Sequence, residues 1–515
     1  MKKIILTTTL LSAIAFNATA DVDTHLYNKY WDEDSPNLFH TNPNDILGSS
    51  FAKGDFNNDG YEDLVIGEPG YDNAKGDVMV LYGTGSGVSS IGSVYLAQAS
   101  AENNDSFGAV MAVGDFNGDG IDDLAIAAPN EDIDSNTLQD AGAINIFYGS
   151  NTGLPQTAPE INENTGQTIG LSAAAFNNFG FSLAAGDING DGKDELAVGI
   201  PASDIAFGFP PTTYTDAGRI RIFNGKSTGI TGTDFFDIWQ GNGATGAVED
   251  SDNFGYSLAM GYFDDGNYAD LAVGVPYESL HATFDGIVQV FYGGAAGFVS
   301  NSIVTQNEIN GSTPESNDLF GFSLTTGNVY GGIGDFYDDL VVGVPFEDVG
   351  STSDTGVVHV MPGSASGLIS AGSYTLSQGT SGINGFVEQG DHFGYSVATA
   401  ILSDNSVLLN DSILIGTPGE DFQATNDGVA YVVFDSSASS ATSKFLSSPS
   451  PNNEAHFGNA IGAVTTYFDN AHLYRFTSVF VGIPGQISSD NDTNAGAFLE
   501  AVFQGNDIIF KHGFE

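Results

Sequence analysis

Short apolar runs broken by glycine, proline and asparagine recur along nearly the whole chain, and no segment sustains a 3.6-residue apolar period. Several runs alternate strictly, among them 142–148 (GAINIFY), 218–223 (GRIRIF) and 286–292 (GIVQVFY), which is the pattern of half-buried strands. The chain therefore reads as all-β, built from short strands and many turns.

The runs fall into a repeat. A Gly-x-Pro or Ala-x-Pro triplet closes an apolar strand at Pro69, Pro129, Pro201, Pro276, Pro345, Pro418 and Pro484. Upstream of each stands a Phe-Gly pair at Phe107, Phe179, Phe254, Phe320, Phe393 and Phe457, with Leu47-Gly48 in the first copy. The glycine-to-proline spacing is 21 residues in the first four copies, then 24, 24 and 26. A third strand opens at glycine after each proline loop, and a weaker fourth follows, as around Asp234 to Gln240. Four strands per copy, with a period of about 69 residues and no long helix, predict a seven-bladed β-propeller over residues 46–505, because radial packing buries each sheet against two neighbours. The repeats begin near residues 47, 107, 179, 254, 320, 393 and 457. A lead-in at 21–45 and a tail at 506–515 are both candidates for the strand that closes the ring.

Phe-Gly, an Asp- and Asn-rich loop and a Gly-Ala-Pro-like triplet, nearly spelled out by Ala127-Ala128-Pro129, resemble the FG-GAP repeats of integrin α-subunit heads. The resemblance runs from residue 45 to about 505. It implies an integrin-like propeller, with metal loops on a lower face between the first two strands of a blade and ligand loops on the upper face.

Between those strands the first copy reads Asp55, Asn57, Asp59, Gly60, Tyr61, Asp63 and the second Asp115, Asn117, Asp119, Gly120, Ile121, Asp123. Oxygen side chains thus occupy positions one, three, five and nine, and the backbone carbonyl at seven adds another, as a hard cation requires. Three crowded carboxylates favour Ca²⁺ over the smaller, more tightly hydrated Mg²⁺. The third copy, Asp187, Asn189, Asp191, Lys193 and Glu195, departs only by Glu at nine. The fourth has Tyr262 at one and Gly266 at five, which argues against metal. In the last three copies the stretches 328–339, 404–411 and 469–475 do not align. About three structural Ca²⁺ sites are expected. Integrins resemble this layout in reverse, with calcium loops in later blades, so no site carries over by blade number.

Composition fits an exported protein. Met1-Lys2-Lys3, an apolar stretch and Ala18-Thr19-Ala20 form a signal-peptide pattern over 1–20, cleaved after Ala20. The chain has 65 acidic residues against 12 Lys and Arg, a net charge of −53, which repels nucleic acid and anionic lipid. It has no cysteine and no other apolar stretch long enough for a spanning helix, so a secreted or cell-surface location follows.

No catalytic constellation is expected. Gly225-Lys-Ser227-Thr-Gly229 matches a nucleophile elbow, but other copies place small-residue turns there. His392 and His456 precede Phe-Gly as packing or loop residues. The acids after the prolines (Glu131, Asp132, Asp204, Glu278, Glu347, Asp348, Glu420, Asp421) read as repeated turn and surface chemistry. The longest upper loop, 201–218, carries Phe207, Phe209 and Tyr214 as candidate ligand contacts. The expected function is a calcium-binding extracellular adhesion or ligand-binding module with a protein or carbohydrate partner, not an enzyme. The alternative is a polysaccharide-active glycosidase or lyase on a propeller.

Overall fold

A computed structural model describes residues 29–32, 46–504 and 507–508, apart from short stretches at 86, 134–136, 166–172, 310, 332–334, 381, 384, 403–409, 435–441, 448–455, 468–474 and 484–496. The export segment 1–20 and Pro484 lie outside the described residues.

The chain is an all-β propeller of four-stranded antiparallel blades. The first blade runs Ser50–Gly54, Asp63–Glu68, Asp77–Tyr82 and Ser89–Leu96 from the axis outward. The next five keep that order and open at Val110, Ser182, Ser257, Ser323 and Ser396. The third blade adds a parallel pair, Gly243 and Ala244 beside Trp239 and Gln240, and a separate hairpin, Ile205–Phe207 with Thr212–Tyr214. Inner strands of consecutive blades lie side by side, and Ile461–Tyr467 lies beside both Ser396–Ala400 and Ser50–Gly54.

The expectation of seven like blades needs correction. Six sheets come each from one continuous segment, and the last does not. Its segment supplies three strands, Ile461–Tyr467, Arg475–Gly482 and Ala497–Gln504, and the fourth is Lys29–Asp32, with Trp31 opposite Phe498. Each of the first six copies thus makes one whole sheet, whereas the last copy lacks its fourth strand and takes it from the other end of the sequence. Asp507–Ile508 pairs farther along the same strand, with Phe503 opposite Ile508, so both candidate closing segments meet it.

Burial follows the radial layout. Every residue of the second strand is buried in each of the six continuous blades, since both of its faces meet a neighbouring sheet. The Phe of each Phe-Gly pair is fully buried in an apolar cluster shared by two blades; Phe254 packs with Ile220 and Ile222 of the third blade and Leu271 of the fourth. Leu47 does the same between the first and last sheets, against Leu64 and Phe480.

The two glycines of the repeat have distinct work. Gly108, at φ 91°, turns its carbonyl onto the previous blade, where Ser50 Oγ donates to it at 2.6 Å. Gly67 leaves the room that this carbonyl occupies, and a Cβ there would collide with it. Ser182, Ser257, Ser323 and Ser396 make the same bond to Gly255, Gly321, Gly394 and Gly458. In the second copy Val110 replaces the serine and Ala127 the glycine, so the tie and the room for it are lost together.

Candidate functional site: the lower loops and the upper mouth

Loops joining first to second strands emerge at one end of the blades, the lower face. Loops joining second to third strands, and one blade to the next, emerge at the upper face.

In the first lower loop, Asx turns fix the side chains. Asp55 accepts from the N–H groups of Asp59 (3.0 Å) and Gly60 (2.8 Å), Asn57 Oδ1 accepts from Asp59 (2.9 Å), and Asp59 Oδ1 accepts from Tyr61 (3.0 Å). The second loop repeats this through Asp115 and Asp119, and the third through Asp187, Asn189 and Asp191.

Position nine is a different kind of residue. Asp63 is fully buried and joins two strands: Oδ2 accepts from Phe56 N–H (3.0 Å) and Oδ1 from Gly83 N–H (2.7 Å). Asp123, Glu195 and Asp270 repeat the clamp, the last in the copy that lacks acids at one and five. Asp339 also makes it, through Val329, Tyr330 and Gly363, which places the fifth copy in register where its sequence could not be aligned. Of the other two unaligned stretches, much of 404–411 and nearly all of 469–475 lies outside the described residues. Burial raises Asp63 and Asp123 to about 7, and the nearby Asp55, Asp59, Asp115 and Asp119 add to the rise.

The donor set of the first two loops fits a hard divalent cation. Asp and Asn side chains at positions one, three, five and nine supply the oxygens such an ion takes, and like charges at Asp55 and Asp59, or Asp115 and Asp119, repel the buried ninth residue. Asp55, Asn57, Asp59 and Asp63, and likewise Asp115, Asn117, Asp119 and Asp123, could hold it, with the carbonyls of Tyr61 and Ile121. The third loop differs, because Lys193 Nζ lies 3.2 Å from Asp191 Oδ1 and also donates to the Asp191 carbonyl. Its own ammonium already answers part of the charge.

The aspartates at position eight carry no signal in the loop formula, yet they join the loops to one another. Asp122 Oδ2 accepts from Asp55 N–H at 2.7 Å, and Asp194, Asp338 and Asp411 reach back in the same way to Asp115, Tyr262 and Asn328. Recurrence in register was the signal available for them.

On the upper face the three candidate contacts separate. Tyr214 packs against a small cluster of Ile205, Ala217 and Val248; Phe207 is 42% exposed; Phe209, at the hairpin tip, is fully exposed. Sequence reasoning missed a larger feature, the residue after Phe-Gly. Phe181, Tyr256, Phe322 and Tyr395 form an arc across four consecutive blades with ring centroids 5.0, 5.4 and 5.2 Å apart, each ring half-buried. Phe181 also borders a cleft of about 890 Å³ lined by Pro69, Asn73, Asn104, Pro129 and Asn130.

The remaining candidates resolve plainly. Gly225–Gly229 is a turn in which Ser227 is exposed and Gly229 N–H bonds to the Lys226 carbonyl. His392 packs on Phe346, and His456 Nδ1 lies 3.3 Å from the Pro418 carbonyl. Glu131, Glu278 and Glu420 are buried between blades, which corrects their reading as surface acids. Among the described residues, one group of three acids, Glu249, Asp252 and Glu278, has oxygens all within 4.8 Å of one another, and it lies on the upper face. No helix among the described residues is long and apolar enough to cross a membrane.

Comparison with known proteins bears on the same segments. The FG-GAP repeat family matches residues 47–95, 107–147 and 179–223, the three copies with complete acidic loops. Human phosphatidylinositol-glycan-specific phospholipase D is 31% identical over 222 residues, 41% of this chain and 24% of that protein. Integrin alpha-5 of Xenopus laevis is 31% identical over 233 residues, covering 44% and 20%, and integrin alpha-PS2 of Drosophila melanogaster 30% over 266 residues, covering 49% and 16%. The chain thus spans about a quarter or less of the length of these relatives. With its buried Phe-Gly pairs, its acidic hairpin loops and its four-stranded blades, the chain carries FG-GAP repeats over these three segments, on a propeller similar to that of integrin α.

Proposed function

We propose that the chain is an exported, calcium-stabilised propeller of seven blades that works outside the cell as an adhesion or ligand-binding module. The composite sheet of Lys29–Asp32 and 461–504 is its seventh blade, and residues 1–20 are its export signal. Ca²⁺ occupies the loops at Asp55–Asp63 and Asp115–Asp123, and more weakly the loop at Asp187–Glu195. Calcium there neutralises crowded carboxylates and adds its binding free energy to folding.

The observation that carries the binding role is the aromatic surface on the upper face: the arc from Phe181 to Tyr395 and the exposed Phe209 of the hairpin. Half-buried aromatic rings on a rigid frame offer contact area at little conformational cost. The chain's charge turns the choice of partner toward neutral glycans and neutral or basic protein surfaces. The acid pairs that a glycosidase would need are buried between blades, which weighs against the enzyme reading.

A glycan and extracellular-protein array, probed with and without calcium, tests the function. Calcium-dependent, saturable binding that falls at least tenfold in Phe209→Ala or on deletion of 205–214 is expected. Binding indifferent to both changes would remove the hairpin from the site, and an absence of saturable binding would remove the function.

A further inference from the structure

The junctions between blades bury acids in a pattern that the loops do not explain. At the first junction Gln98, at the outer end of the first blade, donates from Nε2 to Glu131 at 3.1 Å, and Glu131 is hydrogen-bonded to Asp105. Asp105 in turn accepts from the Glu102 N–H. The third junction places Gln240, Glu278, Asp252 and Glu249 in the same positions, with the amide 2.6 Å from Glu278 and the acid oxygens within 4.8 Å of one another. The fourth uses Gln306, Glu347, Asp318 and Glu315, with Asp318 again hydrogen-bonded to Glu347, and the fifth uses Gln378, Glu420, Asp391 and Glu388. The aspartates are at most 2% exposed.

Two carboxyl groups can hydrogen-bond to each other only if one holds a proton. Acids face them: Glu160, Glu102 and Asp132 at the first junction; Glu249, Asp250 and Asp285 at the third; Glu315 and Asp348 at the fourth, where the buried His359 lines the same cavity; Glu388, Asp421 and Asp427 at the fifth. His281 pairs with Asp285 from outside the third junction, 3.3 Å away. Tyr431 touches Gln378 at the fifth.

The second junction supplies a contrast within the same molecule. There Glu163 replaces the glutamine, Asn177 the aspartate and Ser203 the glutamate, and two fully buried arginines enter. Arg219 bonds Glu163, Ser203 and Asp237, and Arg221 holds Asp237 through two nitrogens at 2.7 and 3.0 Å. Where a fixed cation is present, the acid pair is absent. Where the acid pair is present, no lysine or arginine among the described residues is bonded to it.

We infer that these four junctions are proton-held seams: at least one carboxyl group of each Asp–Glu pair keeps its proton in the closed ring, and its loss with rising pH sets two like charges in a dry contact and loosens one blade from the next. Burial and the neighbouring acids push Glu131, Glu278, Glu347 and all four aspartates above the ordinary carboxyl range, and Asp252 and Glu420 each reach about 8. A carboxyl group raised in the folded state keeps its proton while the unfolded chain loses it. Its contribution is therefore full below the ordinary carboxyl range and is lost as pH rises toward about 8.

Melting temperatures of the full chain between pH 5.5 and 8.5, at one saturating calcium concentration, test the inference in the wild type and in E131Q, E347Q and the quadruple Gln variant at 131, 278, 347 and 420. Gln keeps a hydrogen-bond donor and cannot ionise. The wild type should melt several degrees lower at pH 8.5 than at 5.5, each single variant should flatten part of that fall, and the quadruple variant most of it. If the quadruple variant does not fold, the single variants still decide. Infrared spectroscopy at pH 7 gives a second measure, since the C=O stretch of a protonated carboxylic acid should weaken in E131Q and E347Q. Equal pH slopes in wild type and variants, or no protonated-acid band in the wild type, overturn the inference.

Discussion

Asp194 accepts the backbone N–H of Asp115 at 2.8 Å, so the eighth residue of one lower loop is anchored on the first residue of the loop before it. The bond crosses from the third blade to the second, and Gly114 makes room for it. A Cβ at 114 would lie 2.7 Å from Asp194 Oδ2. At the next junction Ala269 holds the equivalent place, and there the blades are joined by the Ala269 N–H bond to the Asp187 carbonyl.

Asp194→Ala should leave the Asp115 N–H without its carboxylate and cost about 1 to 3 kcal/mol in urea unfolding. Calcium affinity at the second loop should fall as well, because Asp115 is the residue displaced. An Asp194→Ala protein with unchanged stability would show that water replaces the carboxylate without loss.

Lys193→Ala should raise, not lower, the calcium affinity of the third loop. The ammonium at Asp191 leaves, and the carboxylates there become as unneutralised as those of the first two loops. Calorimetric titration against Asp191→Asn, which should weaken the same site, checks the direction.

His359 sets a pH dependence of opposite sign to the seams. It is fully buried, its Nδ1 lies 2.9 Å from Thr375 Oγ1, and burial lowers it to about 3. The unfolded chain takes up a proton near the ordinary histidine value and the folded one does not. The contribution of His359 should therefore fall as pH drops below about 6.5, by about 1.4 kcal/mol per pH unit for one proton, against the rise from the seams. His359→Gln should remove that slope and leave the alkaline one.

Trp31→Pro should open the composite sheet, since proline cannot supply the N–H group of a strand and residue 31 lies opposite Phe498. The bare edge of Ala497–Gln504 is then a template for another chain. A lower melting temperature with concentration-dependent oligomers in gel filtration is expected. A monomer of wild-type stability would show that Lys29–Asp32 does not close the ring.

How much was legible in the sequence depended on how far apart the partners lie. Phe-Gly pairs, proline triplets and the acidic loops at Asp55–Asp63 and Asp115–Asp123 are local patterns, and they located the blades and the candidate metal loops. The pairs Asp122 with Asp55 and Gln98 with Glu131 join residues 67 and 33 positions apart, so nothing near either partner announces the other. Their trace was the register itself: Glu-x-x-Asp-x-Phe-Gly recurs at Glu102, Glu249, Glu315 and Glu388, and is missing at the junction with arginines. The acids after the prolines read as surface residues because an isolated carboxylate usually is one. Only packing between neighbouring blades shows that they carry a hydrogen bond inside.

Lys29–Asp32 on the edge of Ala497–Gln504 also fixes an order of assembly. Contacts within the six continuous blades form between near neighbours in sequence, but this pairing joins Lys29 to Glu500 and must wait until the strand Ala497–Gln504 has left the ribosome. Until then the first blade shows an uncovered flank where Leu64, Ile66 and Leu81 will later meet Val464 and Phe480. The slow and aggregation-exposed step of folding is thus expected at the first-to-last contact, and a chaperone acting on a nascent ring would find its hydrophobic target there.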